Sequence, residues 1–183
     1  VKKDQQITRP LQKILPKLPA KQDQEIRWVE RQEQKIRQAG EYDNVYLYPG
    51  EVYIAERPTI VWTLLGSCIA VVLYNKRLRL GAICHAQLPQ ERFRDGTGHT
   101  PCIHPCYKNT PDPKRFKYAT CSIRYLYEQF TARGVTSDEI TVKLFGGASV
   151  LEGIPETINV GNENIRVARQ VLQEYNLRIV RKD

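Results

Sequence analysis

Four short runs of apolar and β-branched residues follow one another closely between residues 52 and 88, and this spacing limits the folds open to the chain. The runs cover residues 52–55, 59–65, 68–74 and 80–88. Turns of a few residues can join antiparallel strands, whereas parallel neighbours need a crossover of a dozen or more residues. The spacing therefore predicts a sheet that is largely antiparallel in this part of the chain.

Two amphipathic helices are predicted after this sheet. The first covers residues 117–133, and the second opens after Asn159 and is flanked by strands at 140–145 and 177–180. Their apolar faces are Ala119, Ile123, Leu126 and Phe130 in the first helix and Ile165, Ala168, Leu172 and Tyr175 in the second. The fold class predicted is α/β of the α+β type, a largely antiparallel or mixed β sandwich with helices packed on one side.

The chain is predicted to divide into a basic extension over residues 1–41, with a helix over 21–39, and one domain over 42–183. Residues 1–40 hold ten Lys/Arg against five Asp/Glu, but these basic residues alternate with acids and glutamines, and no nucleic-acid motif is present. No run of about 18 apolar residues could span a bilayer, so membrane insertion is not expected. The odd number of cysteines, five, favours a reducing compartment and predicts a cytoplasmic protein.

A cysteine and a histidine on neighbouring predicted strands form the main candidate site. Cys68 follows a Gly-Ser break at the start of one strand, and His85 lies in the next. An imidazole beside a thiol raises the thiolate fraction and can protonate a departing amine. Thr63 precedes this element and could accept from the imidazole N–H through its hydroxyl. The alternative is a buried cysteine, a core histidine and a threonine that only favours a strand.

Glycines surround this candidate site. Backbone N–H groups at Gly66 and Ser67 are candidates for stabilising an oxyanion. Gly146, Gly147 and Ala148 follow a strand and are candidates for binding a substrate backbone, with a simple turn as the alternative. Nucleotide binding is not expected, because neither a GxGxxG nor a Walker pattern is present.

The loop over residues 89–116 carries a second set of thiols and imidazoles: His99, Cys102, His104 and Cys106. These residue types suit Zn²⁺, but their spacing matches none of the common structural zinc patterns. We predict no metal or cofactor, and a metal-binding protein stays open as a minor alternative.

Five segments of the chain, in order, resemble the CheD family, the chemoreceptor glutamine deamidases of bacterial and archaeal chemotaxis. They are residues 63–68, 81–89, 117–119, 145–148 and 159–161, and the resemblance runs from about residue 46 to residue 180. It implies a domain related to the catalytic domains of deamidating cytotoxic necrotizing toxins, and it implies hydrolysis of receptor glutamines to glutamate. The chain ends before the hairpin that typically closes the family domain.

The resemblance also implies roles for individual residues and partners. Cys68 would be the nucleophile, His85 its base, and a threonine just ahead of Leu-Gly-Ser-Cys the third member. Many members carry two threonines there, whereas this chain has Trp62 and Thr63, so either position is a candidate. The implied partners are methyl-accepting chemotaxis receptors and a CheC-type phosphatase. The alternative function is a weakly catalytic or non-catalytic adaptor that binds these partners.

Overall fold

A computed structural model describes residues 42–90, 92–94, 99–101, 113–148 and 159–182, together with residue 34, which is helical. The chain divides into two units, Val1–Glu41 and Tyr42–Asp183. Apart from residue 34, the helix predicted over 21–39 lies outside the described residues, as does most of the loop over residues 89–116.

All the named elements belong to the second unit. The strands are β1 (Asp43–Tyr46), β2 (Val52–Ala55), β3 (Thr59–Trp62), β4 (Ile69–Asn75), β5 (Leu80–Ala86), β6 (Arg92–Arg94), β7 (His99–Pro101), β8 (Ile140–Gly146) and β9 (Ile179–Lys182). The α-helices are α1 (Ala119–Thr131) and α2 (Val160–Glu174), with short 3₁₀ helices at Pro113–Lys117 and Ser137–Glu139. None of the helices in the described ranges is long and apolar enough to cross a membrane.

The central sheet has five strands in the order β2-β5-β4-β8-β9. Strand β4 lies at its centre and pairs antiparallel with both β5 and β8, while β8 and β9 are parallel. The parallel pair follows from the chain path, because α2 occupies the connection between these two strands and returns the chain in the same direction. Strands β2, β5 and β4 confirm the antiparallel pairing predicted for three of the four runs. The prediction is wrong for the run over residues 59–65, because β3 pairs in parallel with β1 in a separate sheet and the chain between them, which includes β2, supplies the crossover.

One face of this sheet carries the hydrophobic core. Alternate residues of the three central strands point to this face, where they pack against both helices. The buried residues are Ile69, Val71 and Leu73 of β4, Ala82, Cys84 and Ala86 of β5, Val142 and Leu144 of β8, Ile123, Leu126 and Phe130 of α1, and Val167, Ala168, Val171 and Leu172 of α2. The predicted apolar face of α1 is confirmed. In α2 the buried face also includes Val167 and Val171, while Ile165 and Tyr175 are only partly buried.

The opposite face holds His85, which pairs with Ala70. A small second sheet, in which β1 and β3 run parallel, lies against this face at His85, where Thr63 follows β3 and contacts the imidazole. The predicted mixed α/β architecture with two helices is therefore confirmed. Its likeness to the toxin domains stays a prediction.

Candidate active site

The residues just before β4 are held by their carbonyl oxygens. Gly66 accepts from the Ala148 N–H at 2.9 Å, and Cys68 accepts from the Gly147 N–H at 2.8 Å. Between them, Ser67 accepts from the side chain of Asn164 at 2.9 Å. Three consecutive carbonyls are thus fixed by β8, its following residues and α2, so the loop that carries the thiol has a defined backbone.

The strand register puts Cys68 and His85 on the same face of the sheet. Ile69 lies opposite Ala86, and Ala70 lies opposite His85. Because side chains alternate, Cys68 shares the face of Ala70 and stands diagonally across from His85. Diagonal cross-strand neighbours are about 7–8 Å apart at their α carbons, within reach of long side chains. The register therefore predicts the thiol on the imidazole's side of the sheet, and no hydrogen bond joins Cys68 to Nε2 of His85.

Thr63 fixes the tautomer of His85. Its Oγ1 lies 2.7 Å from His85 Nδ1 and 2.8 Å from the Leu47 carbonyl oxygen. A carbonyl can only accept, so the single hydroxyl proton is donated to Leu47, and the hydroxyl must then accept from Nδ1–H. In the neutral ring, Nε2 is consequently the nitrogen that carries the lone pair.

His85 is nearly completely buried, with 1% of its surface exposed, and its Nε2 has no hydrogen-bond partner in the described part of the chain. Its backbone is also tied down, since Gly50 N–H donates to its carbonyl and its own N–H donates to Glu51. Burial lowers the pKa of His85, although the Leu47 carbonyl and the charge of Glu51 act in the other direction. The ring is therefore neutral at neutral pH and able to accept a proton at Nε2.

The thiol of Cys68 is partly exposed. Burial raises its pKa above the ordinary value, and its own backbone N–H offsets part of that rise. The thiol is thus protonated in the resting protein, and a base is needed to take its proton as it reacts. Cys84 and Cys121 are buried.

Trp62 points away from His85. It pairs with Tyr46 in the small sheet, and its indole N–H donates to the Asn44 side chain at 2.8 Å. Neighbouring residues of a strand face opposite sides, so Thr63, and not the position of Trp62, faces the imidazole. Of the two candidate positions, Trp62 and Thr63, it is therefore Thr63 that contacts His85.

The glycines at the end of β8 are in close contact with other parts of the protein. A β-carbon on Gly146, whose φ is +86°, would come within 2.3 Å of the Cys68 carbonyl oxygen. One on Gly147 would come within 2.5 Å of Ile165, and one on Gly161 within 2.6 Å of the Gly147 oxygen. These close approaches let β8, α2 and the Cys68 loop meet. Binding of substrate by Gly146, Gly147 and Ala148 stays a prediction.

Sequence reasoning missed two residues that support the site. Leu47 contributes a carbonyl oxygen, which no side-chain pattern can reveal. Asn164 contributes its side-chain amide, and the sequence contains a feature that could have identified it. It is a polar residue on the apolar stripe of α2, between Gly161 and Ala168. Among the described residues, no group of three or more His, Cys, Asp or Glu could hold a metal ion.

Comparison with known proteins identifies the family. The family model described as CheD chemotactic sensory transduction matches residues 105–183. A probable chemoreceptor glutamine deamidase CheD 2 of Geobacter sulfurreducens is 38% identical over 140 residues, which cover 76% of each chain. A probable chemoreceptor glutamine deamidase CheD of Maridesulfovibrio salexigens is 34% identical over 143 residues, 76% of this chain and 78% of that one.

An archaeal relative shows the same likeness. The probable chemoreceptor glutamine deamidase CheD of Methanococcus maripaludis is 31% identical over 134 residues, 73% of this chain and 77% of the relative. A match that covers three quarters of the 183 residues spans Cys68 and His85 wherever it begins. The chain belongs to the CheD family.

Proposed function

We propose that this protein hydrolyses glutamine side chains of methyl-accepting chemotaxis receptors to glutamate, with Cys68 as nucleophile and His85 as base. The observation that carries the proposal is the pair of contacts made by Thr63. They leave Nε2 of a neutral, buried imidazole as the proton acceptor on the face of the sheet that carries the thiol. The names of the relatives supply the substrate class.

The first half of the reaction forms a thioester. As the Cys68 thiol passes its proton to His85 Nε2, the sulfur attacks the carboxamide carbon of glutamine. The carbonyl oxygen becomes an oxyanion, and the N–H groups of Ser67 and Cys68 are the proposed donors to it. The carbon–nitrogen bond then breaks, and the imidazolium protonates the leaving nitrogen to give ammonia.

The second half releases glutamate. His85 takes a proton from water, the resulting hydroxide attacks the thioester carbon, and the carbon–sulfur bond breaks. The sulfur recovers its proton, and the net reaction consumes one water and produces one ammonia. Each step uses only groups of the chain, the substrate and water. A cytoplasmic location, predicted from the odd number of cysteines, belongs to the same proposal.

Mass spectrometry of a cytoplasmic receptor fragment tests this function. Wild-type protein should raise the mass of particular glutamines by about one unit, because NH₂ is replaced by OH through the thioester. Cys68→Ala should give no mass change and no ammonia while still binding the fragment. Cys121→Ala, which removes a buried thiol from α1, is the matched control and should retain activity. Equal activity of Cys68→Ala and wild type would overturn the mechanism.

A second candidate function, that of an adaptor for receptors or for a CheC-type phosphatase, is favoured by exposed apolar side chains at the end of the small sheet and just after it. Tyr46 and Tyr48 are 51% and 60% exposed with ring centroids 4.8 Å apart, and Leu64 is 79% exposed. If the wild type binds a receptor fragment or such a phosphatase but leaves glutamine masses unchanged, the adaptor function replaces the deamidase.

A further inference from the structure

Asn164 is a fully buried polar residue on α2 with an unusual set of partners. Its side-chain Nδ2 donates to the Ser67 carbonyl at 2.9 Å and to the Gln87 carbonyl at 3.0 Å. Only an NH₂ group can bridge two carbonyl oxygens, so the orientation of this amide is fixed by its partners. Its Oδ1 is buried with no partner among the described residues. A buried acceptor without a partner lowers stability, so Asn164 adds a cost to the free energy of folding.

The two carbonyls lie just beyond the end of the β4–β5 ladder. The last pair of that ladder is Ile69 with Ala86. Ser67 precedes Cys68 by one residue, and Gln87 follows His85 by two. Asn164 therefore ties together the two strand ends that carry the proposed nucleophile and the proposed base.

The bond to Ser67 also determines where the Cys68 N–H points. The carbonyl of Ser67 and the N–H of Cys68 belong to one planar trans peptide, in which they point in opposite directions. With the carbonyl turned toward α2, the N–H is turned away from it. The Gly66 carbonyl and the Ser67 N–H also belong to one peptide. Because the Gly66 carbonyl accepts from Ala148 N–H, the Ser67 N–H is turned away from Ala148. The Cys68 N–H is directed toward its own thiol, on the side where the reacting group of a substrate would lie.

We propose that Asn164 is a positioning residue that orients the Cys68 backbone N–H as an oxyanion donor. This inference rests on the proposed acyl chemistry of Cys68, but not on the identity of the substrate. Asn164 acts through the Ser67–Cys68 peptide and touches no reacting atom. Its loss should weaken reactions that pass through an oxyanion and spare reactions of the same thiol that do not.

Two small reagents separate these classes of reaction. Acylation of Cys68 by p-nitrophenyl acetate passes through a tetrahedral oxyanion, whereas alkylation by iodoacetamide displaces iodide at a saturated carbon and forms no oxyanion. Both rates are measured on the full chain by peptide mass spectrometry of the Cys68 peptide, which excludes the other cysteines. For Asn164→Ala we expect the ratio of acylation to alkylation to fall at least about tenfold, since removing one oxyanion donor costs 10²–10³ in rate.

Asn75 provides a matched control. It is the other buried asparagine of the described core. Its amide also makes two bonds to the backbone, donating to the Glu139 carbonyl and accepting from Leu78 N–H. It lies at the opposite end of β4, about 20 Å from Cys68 at the rise of a strand. Asn75→Ala should lower the thermal unfolding temperature and leave the acylation-to-alkylation ratio at the wild-type value.

The outcomes are distinct. An unchanged ratio in Asn164→Ala, or a parallel loss of both rates, overturns the inference, and so does a wild-type Cys68 that is alkylated but never acylated. If Asn164→Ala does not fold, Asn164→Ser retains one donor and should show a smaller fall in the same ratio. A reduced ratio in a protein that leaves receptor glutamines unchanged would support the inference while the proposed function fails.

Discussion

At the scale of single residues, the hydroxyl of Thr63 determines what His85 can do. A histidine has two nitrogens, and a base is useful only if the nitrogen facing the thiol is the unprotonated one. Thr63 donates to Leu47 and accepts from Nδ1, which leaves Nε2 with the free lone pair that the proposed base needs. One hydroxyl with two partners therefore sets both the orientation and the tautomer of the ring.

Thr63→Val tests this role because valine keeps the shape and removes the hydroxyl. We expect kcat for glutamine deamidation to fall about tenfold to a hundredfold, as part of the 10²–10⁴ that general base catalysis contributes. We also expect a loss of stability of about 1–3 kcal/mol, since a buried donor and acceptor lose their partner. Steady-state ammonia release and urea denaturation measure the two effects.

The control is Thr59→Val, at the start of the strand that precedes Thr63, whose hydroxyl donates to the Arg57 carbonyl. It should leave kcat unchanged. A Thr63→Val protein with wild-type kcat would show that the hydroxyl has no part in orienting the base.

The protonation states of Cys68 and His85 predict a pH profile. Burial raises the pKa of the thiol and lowers that of the imidazole, so the resting pair is neutral. Deamidation should therefore rise through an acid limb with a midpoint below about 6.5 and should reach a plateau at neutral pH. Alkylation of Cys68 by iodoacetamide should increase only toward alkaline pH. An alkylation midpoint near pH 4–5, as in a preformed thiolate–imidazolium pair, would contradict this prediction.

At the scale of elements, the site depends on how closely β8 approaches the loop before β4. Gly146 ends β8 with a positive φ, and its α carbon faces the Cys68 carbonyl oxygen. Any side chain there would displace the backbone of Cys68, the proposed nucleophile. The glycines after β8 thus set the position of Cys68 by allowing close backbone contact.

Gly146→Ala and Gly134→Ala form a matched pair. Both glycines have positive φ, so each substitution incurs the left-handed penalty of about 1–2 kcal/mol. Only at Gly146 would the new carbon clash, at 2.3 Å from the Cys68 oxygen, since nothing lies within 4 Å of the carbon at Gly134. We expect Gly134→Ala to keep wild-type kcat and Gly146→Ala to lose most activity and more stability. Equal effects of the two substitutions on kcat and on urea denaturation would refute the close-approach explanation.

At the scale of the whole molecule, the apolar core and the candidate site lie on opposite faces of the central sheet. The face toward α1 and α2 holds the apolar core, and the opposite face holds His85 under the small β1–β3 sheet. The imidazole is nevertheless as buried as the core residues. Its protonation therefore affects the free energy of unfolding of the entire domain.

This burial predicts a loss of stability on acidification. The unfolded state binds a proton at His85 near pH 6.5, whereas the folded state does so only at a lower pH. The contribution of neutral His85 to the free energy of unfolding is therefore full above about pH 6.5. It is lost as the pH falls through the pKa that His85 has in the folded protein. Urea denaturation at about pH 7.5 and about pH 5.5 measures this difference, and His85→Gln should reduce it. If the free energy of unfolding of His85→Gln changed with pH as that of wild type does, His85 would be excluded as the source of the change.

Local patterns in the sequence determined much of the fold and the pairing of chemical groups. The short turn between β4 and β5 determined their antiparallel pairing, and helical spacing placed Ala119, Ile123, Leu126 and Phe130 on one buried face. The parallel pairing of β3 with β1 was not predicted, since it joins segments on either side of β2. The same reasoning brought Cys68, His85 and Thr63 together as candidates, because a short turn between two strands fixes their register. These features depend on contacts between residues close in sequence.

Only the tertiary structure decided which groups support that site. The Leu47 carbonyl, the side chain of Asn164 and the packing of Gly146 against Cys68 join segments that are 16 to 97 residues apart. The outward orientation of Trp62 was also invisible in the sequence, since it depends on the parallel pairing of β1 with β3. Backbone groups and long-range close approaches leave no periodic pattern in the residues, so their positions follow only from the folded chain.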